Sequence, residues 1–370
     1  MARRTIARID VPSLRHNLQT LKDWTGPGNF FCPMVKANAY GHDAALVARV
    51  AEQQGVSALG TALVEEAVSL RQTGILGPIL TFSPLDAESA AQVFRHGLTP
   101  VITRFEDLLA LEKSRGAQNV AAHLKFNSGM QRLGFDAGDL PRLKSELDRL
   151  NWLRVDGVCT HLTHGEEADQ AGSPSAVQIR KFLEVTQDLP GARHAHKTAS
   201  LAALKGAGQE SGVGARPGIG VYGLPHDGFH KGEGLRSVLT WTTEIALMHT
   251  VQKGETVSYS ARWTAPRDSK VAVLPVGYGD GYMRSLSGKG QVLVRGHRVP
   301  IVGSVCMDYV MVDLTDVWAA EGEIKIGESV VVLGRQGQEE ISAAEIAAAA
   351  GTIAYEVVTN ISARVRREAV

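Results

Sequence analysis

The chain has 370 residues, enough for two domains and a large core, and 44% of them are hydrophobic. Lys+Arg and Asp+Glu both number 39, so the net charge is zero and nothing favours nucleic acid or an anionic membrane as a partner. Cys32, Cys159 and Cys306 lie far apart and form neither a disulfide framework nor a zinc spacing, which points to a reducing, cytoplasmic setting. The start, Met1 to Asp10, has basic residues but no apolar stretch of the signal-peptide kind, and no run is long enough to cross a bilayer.

In chain order, a strand is expected over residues 1–10, one that could pair with the C-terminal part. The apolar run Phe30–Val35 then feeds into Lys36, a small-residue turn and a helix-like segment, Asp43–Gln54. A lysine at the tip of a buried strand is costly to keep charged. Desolvation lowers its pKa, and a neutral amine can attack a carbonyl, as an aldehyde cofactor such as pyridoxal phosphate requires. The plainer reading is a strand-end lysine that reaches into water. Helical patterns then end at Gly55, Gly74, Gly97 and Gly116, each followed by a short apolar run: Val56–Leu59, Ile79–Phe82, Leu98–Ile102 and Val120–Lys125. Further strands are expected at Val155–Thr160 and Arg193–His196. This alternation predicts parallel strands with right-handed crossovers, an eight-stranded TIM-like α/β barrel over residues 11–235. Residues 225–234 read as loop. The remainder, 236–370, reads as a mostly β domain with one helix, Ser342–Ala350.

A parallel barrel puts its site at the C-terminal strand ends. Polar groups fall there: Lys36, Lys125 with the Asn127–Arg132 stretch, His161, Lys197 with Thr198, and Arg216 before Gly218 and Ile219. Each has a plain alternative. Lys125 could be a solvated strand end, Arg132 an exposed loop residue, and Thr198 a helix cap. His161 and His164 have a metal-like spacing but no third ligand nearby, so no metal is expected. Gly218-Ile-Gly-Val-Tyr-Gly223 matches a dinucleotide fingerprint, yet no buried strand precedes it and no convincing helix follows. A glycine turn offering N–H groups to one phosphate fits better.

Seven stretches, in this order and spacing, resemble bacterial alanine racemase, a pyridoxal-phosphate enzyme of fold type III. They are Val35-Lys36-Ala-Asn-Ala-Tyr40-Gly-His42, Gly129-Met-Gln-Arg132-Leu-Gly134, Arg216-Pro-Gly218-Ile219-Gly-Val-Tyr-Gly223, Gly254-Glu-Thr-Val-Ser-Tyr259, Gly277-Tyr-Gly-Asp-Gly281, Cys306-Met307-Asp308 and Gly351-Thr-Ile-Ala-Tyr355-Glu356. The resemblance implies roles. Lys36 would carry the cofactor and act as the base on the D face of the substrate. Tyr259, from the partner subunit of a homodimer with shared sites, would be the base on the L face. Arg216 would donate to the pyridine nitrogen. Tyr40, Thr198, Gly218, Ile219 and Tyr355 would hold the phosphate, and His161 would contact the cofactor ring oxygen. Arg132 and Met307 would bind the substrate carboxylate, and Lys125 would be a carbamylated lysine that orients Arg132. The implied activity interconverts L- and D-alanine and supplies D-alanine for peptidoglycan. A serine or broad-range amino-acid racemase on the same fold is the alternative. The chain departs from the family pattern at Asn127-Ser128 (usually Asp-Thr), Gln131 (usually Gly), Leu162-Thr163 (usually Phe-Ala) and Lys197-Thr198 (usually Asn-Ser). Its terminal Arg364-Val-Arg-Arg367 stands where Arg-x-Pro-Arg is usual.

Overall fold

A computed structural model of the chain describes residues 4–204, 212–224 and 234–370. Two compact units emerge. One holds Leu14–Ala39 and Asp43–Leu235; the other holds Met1–Ser13, Tyr40–His42 and Arg236–Val370. The loop expected over 225–234 lies, Gly234 apart, outside the described residues.

After strand β1 (Ile6–Ile9) come β2 (Leu59–Thr61), β3 (Ile79–Thr81), β4 (Thr99–Ile102), β5 (Val120–Lys125), β6 (Leu153–Cys159), β7 (Ala192–His196) and β8 (Val213–Ala215). Strands β2 to β8 pair in chain order and all in parallel. Helices link most of them, as parallel pairing demands. Gly55, Gly74, Gly97 and Gly116 close helices at φ between +57° and +92°.

The segment Phe30–Val35 joins the two free edges of this sheet. Towards β8, Cys32 N–H donates to the Ala215 carbonyl (2.9 Å) and Ala215 N–H to that of Phe30 (2.7 Å). Towards β2, Val35 N–H donates to Gly60 (2.8 Å) and Gly60 N–H to Pro33 (3.0 Å). The segment thereby takes the eighth place in a TIM-like ring. It is not the regular strand expected from its apolar run, since it makes only isolated bridges, Phe31 to Ala215 and Met34 to Gly60. Pro33 has no N–H with which to continue a ladder.

The barrel interior is packed, and part of it is polar. His123 on β5 reaches His194 on β7, two strands away, with 2.7 Å between Nδ1 and Nε2. Phe30 covers both rings, at centroid distances of 5.2 Å and 4.5 Å. Gly157 on β6 makes room for them, because a Cβ there would collide with the His123 ring and stand 2.9 Å from the Ala192 carbonyl oxygen.

In the second unit β1 lies between two strands. It is antiparallel to Leu239–Glu244 (Ile6 opposite Thr242) and parallel to Arg366–Ala369 (Ile6 opposite Arg366). The sheet continues through Ser329–Gln336, Gln291–Val294, His297–Val302, Val310–Asp313, Ser269–Leu274 and Leu247–Val251. The single expected helix is present as Ala343–Ala350, its N-terminus capped by Ser342. Two more helices, Thr315–Glu321 and Ala354–Thr359, correct that expectation; at seven and six residues they are too short to show a helical period. Among the described residues, no helix is long and apolar enough to cross a membrane.

Overpacking costs about 1–3 kcal/mol in a filled core. Gly157→Ala should therefore lower unfolding stability by that amount in a denaturant titration; an unchanged midpoint would mean the His123 ring has room to move.

Candidate active site

Lys36 opens a turn of unusual hand. Ala37, Asn38, Ala39 and Tyr40 all have φ between +51° and +53°, and Gly41 follows at +83°. A left-handed turn costs L-residues roughly 1–2 kcal/mol each, so its surroundings must over-determine it. Ala39 N–H bonds the Val35 carbonyl (2.8 Å). The Glu66 carboxylate accepts from Ala37 N–H (2.6 Å) while also taking those of Ala62 (2.9 Å) and Leu63 (3.1 Å). Asn38 Oδ1 accepts from Ala44 N–H at 2.9 Å, and at the far end Arg367 Nε donates to the Gly41 carbonyl at 3.0 Å. Just before the turn, Tyr222 Oη donates to the Met34 carbonyl (2.8 Å). The backbone that carries Lys36 is thus fixed, and the residue is half-buried. Burial lowers its pKa, and Arg132 lowers it further against the opposing pull of Glu66.

Arg216 follows β8 and is 6% exposed. Its Nη1 donates to the His194 carbonyl (2.7 Å) and meets His194 Nδ1 (2.6 Å); its Nη2 donates to the Thr160 carbonyl (2.5 Å) and lies 3.5 Å from His161 Nδ1. The Phe82 ring lies 5.7 Å from the guanidinium carbon. An arginine cannot accept a hydrogen bond, so His194 Nδ1 must be the acceptor. The His194 proton therefore sits on Nε2 and is donated to His123 Nδ1, which leaves the His123 proton on Nε2. The rings are held neutral to suit. Burial pushes His123 down to about 4 and His194 well below its ordinary value, with Arg216 adding to both. Burial and then Arg216 push His161 down to about 2. Lys125, 5% exposed, is pushed down to about 8 by burial, with Arg216, Arg132 and Lys36 adding and Cys159 opposing.

The loop after β5 is folded around Asn127. Its amide donates to Gln131 Oε1 and Asp136 Oδ1 (both 2.8 Å), and its oxygen accepts from Gln131 N–H (3.0 Å). Ser128 Oγ and Thr160 Oγ1 are 2.8 Å apart. Gln178 is buried and ties this loop to the next, donating to the His161 carbonyl (3.2 Å) and accepting from Thr163 N–H (2.9 Å). Arg132 stands exposed on the loop, within electrostatic reach of Lys36, Lys125 and His161. Thr198 does not cap its own helix. Its hydroxyl accepts from the N–H groups of Gly218 and Gly220, both at 3.2 Å, and so holds the glycine turn that contains Ile219.

The second unit carries the remaining residues singled out from sequence. The rings of Tyr40 and Tyr355 lie 6.0 Å apart. Tyr259 is 71% exposed on a loop with positive φ at Ser258, Ser260 and Ala261. Met307, also exposed, sits where Gly279 N–H meets its carbonyl (2.9 Å) and Tyr278 N–H meets that of Cys306 (3.0 Å). Arg364 spans Asp308 (2.7 Å) and Asp280 (3.7 Å), so the Gly277–Gly281 and Cys306–Asp308 stretches form one structural knot. Sequence reasoning missed His123, His194, Gln178 and Glu66. Among the described residues, no group of three His, Cys, Asp or Glu side chains could hold a metal.

The neutral histidines give a signed pH dependence. Unfolded, His123 and His196 titrate near 6.5; folded, both are pushed to about 4. The unfolded chain therefore binds protons that the folded chain refuses. Stability is fully present above pH 6.5 and is lost as pH falls towards 4, by about 1.4 kcal/mol per pH unit for each such ring. Denaturant unfolding at pH 7.5, 6 and 5 should show this fall together with proton uptake, and a flat profile would contradict it.

Known proteins match this chain over nearly its whole length. Residues 9–226 match the family model "Alanine racemase, N-terminal domain", and residues 238–369 match "Alanine racemase, C-terminal domain". The alanine racemase of Symbiobacterium thermophilum is 38% identical over 375 residues, 99% of this chain and 97% of that protein. That of Halothermothrix orenii is 36% identical over 377 residues, 100% of this chain and 97% of that protein. Among solved structures, the Bacillus anthracis alanine racemase with bound L-Ala-P superposes with a TM-score of 0.89 at 30% identity, covering 100% of this chain and 96% of that one. The enzyme from E. faecalis gives 0.90 at 29%, covering 100% and 98%. With both halves matched, the barrel and the β-rich unit alike, this chain belongs to the alanine racemase family.

Proposed function

We propose that the chain racemises alanine with pyridoxal phosphate, Lys36 and Tyr259 serving as the two proton-transfer residues. The observation that carries this is Lys36 at the head of a left-handed turn, its pKa lowered by burial and by Arg132, in a chain of this family. The residues present suit the cofactor. Arg216 sets a permanent positive charge in a fixed place, and the turn at Gly218 and Ile219 is braced by Thr198. Pyridoxal phosphate, when bound, supplies the electron sink that acidifies the α-hydrogen of an attached amino acid.

The chain's own residues do the rest. Lys36 holds the cofactor and takes or returns the α-proton on one face, which needs the neutral amine that burial favours. Tyr259 is the proton carrier for the other face. Thr198, Gly218, Ile219, Tyr40 and Tyr355 would hold the phosphate, and His161, kept neutral, would contact the ring oxygen. Arg132 and Met307 receive the substrate carboxylate. Lys125, with a pKa near 8, has a neutral fraction open to carbamylation, which labelling with 13C-bicarbonate would reveal as a carbamate resonance.

Tyr259, Met307 and Tyr309, at 71%, 53% and 49% exposure, line up with a homodimer in which these side chains face a partner's site. The free thiols of Cys32, Cys159 and Cys306 fit a cytoplasmic protein.

The test is α-hydrogen exchange into deuterated water, followed by NMR on each alanine enantiomer separately. Lys36→Ala should lose racemisation in both directions. Tyr259→Phe should keep exchange from D-alanine and lose it from L-alanine; equal loss from both would mean the faces are not divided in this way. Mixed and allowed to exchange subunits, the two variants should regain activity, and no recovery would sink the shared site.

A further inference from the structure

We propose that Glu66 is a positioning residue for the reaction, a counter-charge to the Lys36 amine held in place by backbone N–H groups. The proposal rests on the role given to Lys36 above. Glu66 is the third residue of the helix Val64–Gln72, which begins just after β2. Its two carboxylate oxygens serve different elements. Oε2 accepts from Ala62 N–H (2.9 Å) and Leu63 N–H (3.1 Å), at the start of its own helix. That is the ordinary task of a glutamate in a first helical turn. Oε1 leaves the helix and accepts from Ala37 N–H at 2.6 Å, 29 positions earlier in the chain. The helix start accounts for Oε2 alone.

The barrel's closure explains this second bond. Val35 N–H donates to the Gly60 carbonyl in β2, so the end of the closing segment lies beside the end of β2. The Lys36 turn leaves one of these ends and the Glu66 helix follows the other. Ala37 is the residue after Lys36, and the carboxylate therefore stands against the backbone that carries the lysine. Three N–H donors fix it there, and hydrogen bonds to a charged acceptor are the stronger kind.

Charge gives the placement its chemical meaning. When Lys36 acts as a base it gains a proton and becomes a cation. It does so half-buried, with Arg132 on the loop after β5 and Lys125 at the end of β5 within electrostatic reach. Burial and Arg132 both disfavour the protonated amine, and Glu66 opposes them. Without that opposition the amine would hold an accepted proton more weakly. A carboxylate fixed beside the turn supplies it without competing for the cofactor carbonyl.

The experiment measures the proton affinity of Lys36 in the cofactor-free full chain. Brief acetylation with acetic anhydride over a series of pH values, with Lys36 quantified by mass spectrometry, gives the midpoint at which its amine becomes reactive. Glu66→Gln removes the charge and should move that midpoint to lower pH. Glu66→Asp keeps the charge on a shorter arm and should fall between the glutamine variant and the unaltered protein. Arg132→Gln removes an opposing cation and should move the midpoint to higher pH. A glutamine variant that melts lower but keeps the midpoint would overturn the proposal, since Glu66 would then only start its helix. A midpoint raised by Glu66→Gln would overturn it as well, because losing the carboxylate would then have released the lysine into water. Should Glu66→Gln fail to fold, Glu66→Asp decides alone, and a midpoint equal to or above that of the unaltered protein would sink the idea. Titrating the unaltered protein and Lys36→Ala with pyridoxal phosphate checks the role of Lys36 separately. If no Lys36-dependent absorbance develops, that role fails first; if it develops and only the midpoints disagree, this inference alone is lost.

Discussion

A guanidinium has five donors, no acceptor and a charge it cannot shed. Buried at the C-terminal end of a barrel, it dictates the state of whatever touches it. Arg216 is such a group, and its two terminal nitrogens are spent on the His194 and Thr160 carbonyls and on His194 Nδ1. Those bonds force His194 to accept, hence to be neutral, and pass a defined tautomer on to His123. The same charge helps keep His161 and His196 neutral and lowers the pKa of Lys125. The mouth of the barrel thus sets a fixed cation beside imidazoles held neutral. Anionic groups are welcome there, and nearby amines keep a usable lone pair.

Placement of the lysine is a backbone matter. The segment Phe30–Val35 closes the ring by bonding both β8 and β2, so its end is fixed from two sides. Turning left-handed over four residues that carry a Cβ is costly, and Glu66, Asn38 and Arg367 supply the bonds that hold the turn. Strain of this kind collects where a side chain must be aimed. A second cluster of positive φ surrounds Tyr259, the other residue assigned a proton.

Much of this could be read in the residues, and what could not has physical reasons. Strand tips in a parallel barrel are visible from glycine-terminated helices and short apolar runs, so Lys36, Lys125, His161, Thr198 and Arg216 stood out. His123 did not, because it lies inside an apolar run, and His194 did not, because it sits within its strand and not at the tip. For His123 the signal was the alternation with Lys125, a polar inner face at period two. Glu66 carried no local signal at all, since its bond to Ala37 spans 29 positions. The hand of the turn was equally hidden, for Ala-Asn-Ala-Tyr favours no left-handed stretch. Strand β8 and the short helices of the second unit have too few residues to show a period.

The neutral, directional chain from Arg216 through His194 to His123 is the point on which the rest turns. Nitrogen NMR of 15N-histidine-labelled protein, assigned with His194→Gln and His123→Gln, reads it directly. Between pH 8 and pH 6 both rings should be neutral, with the proton on Nε2 and a bare Nδ1. An imidazolium signature at either ring by pH 6, or a proton on His194 Nδ1, would contradict the arrangement.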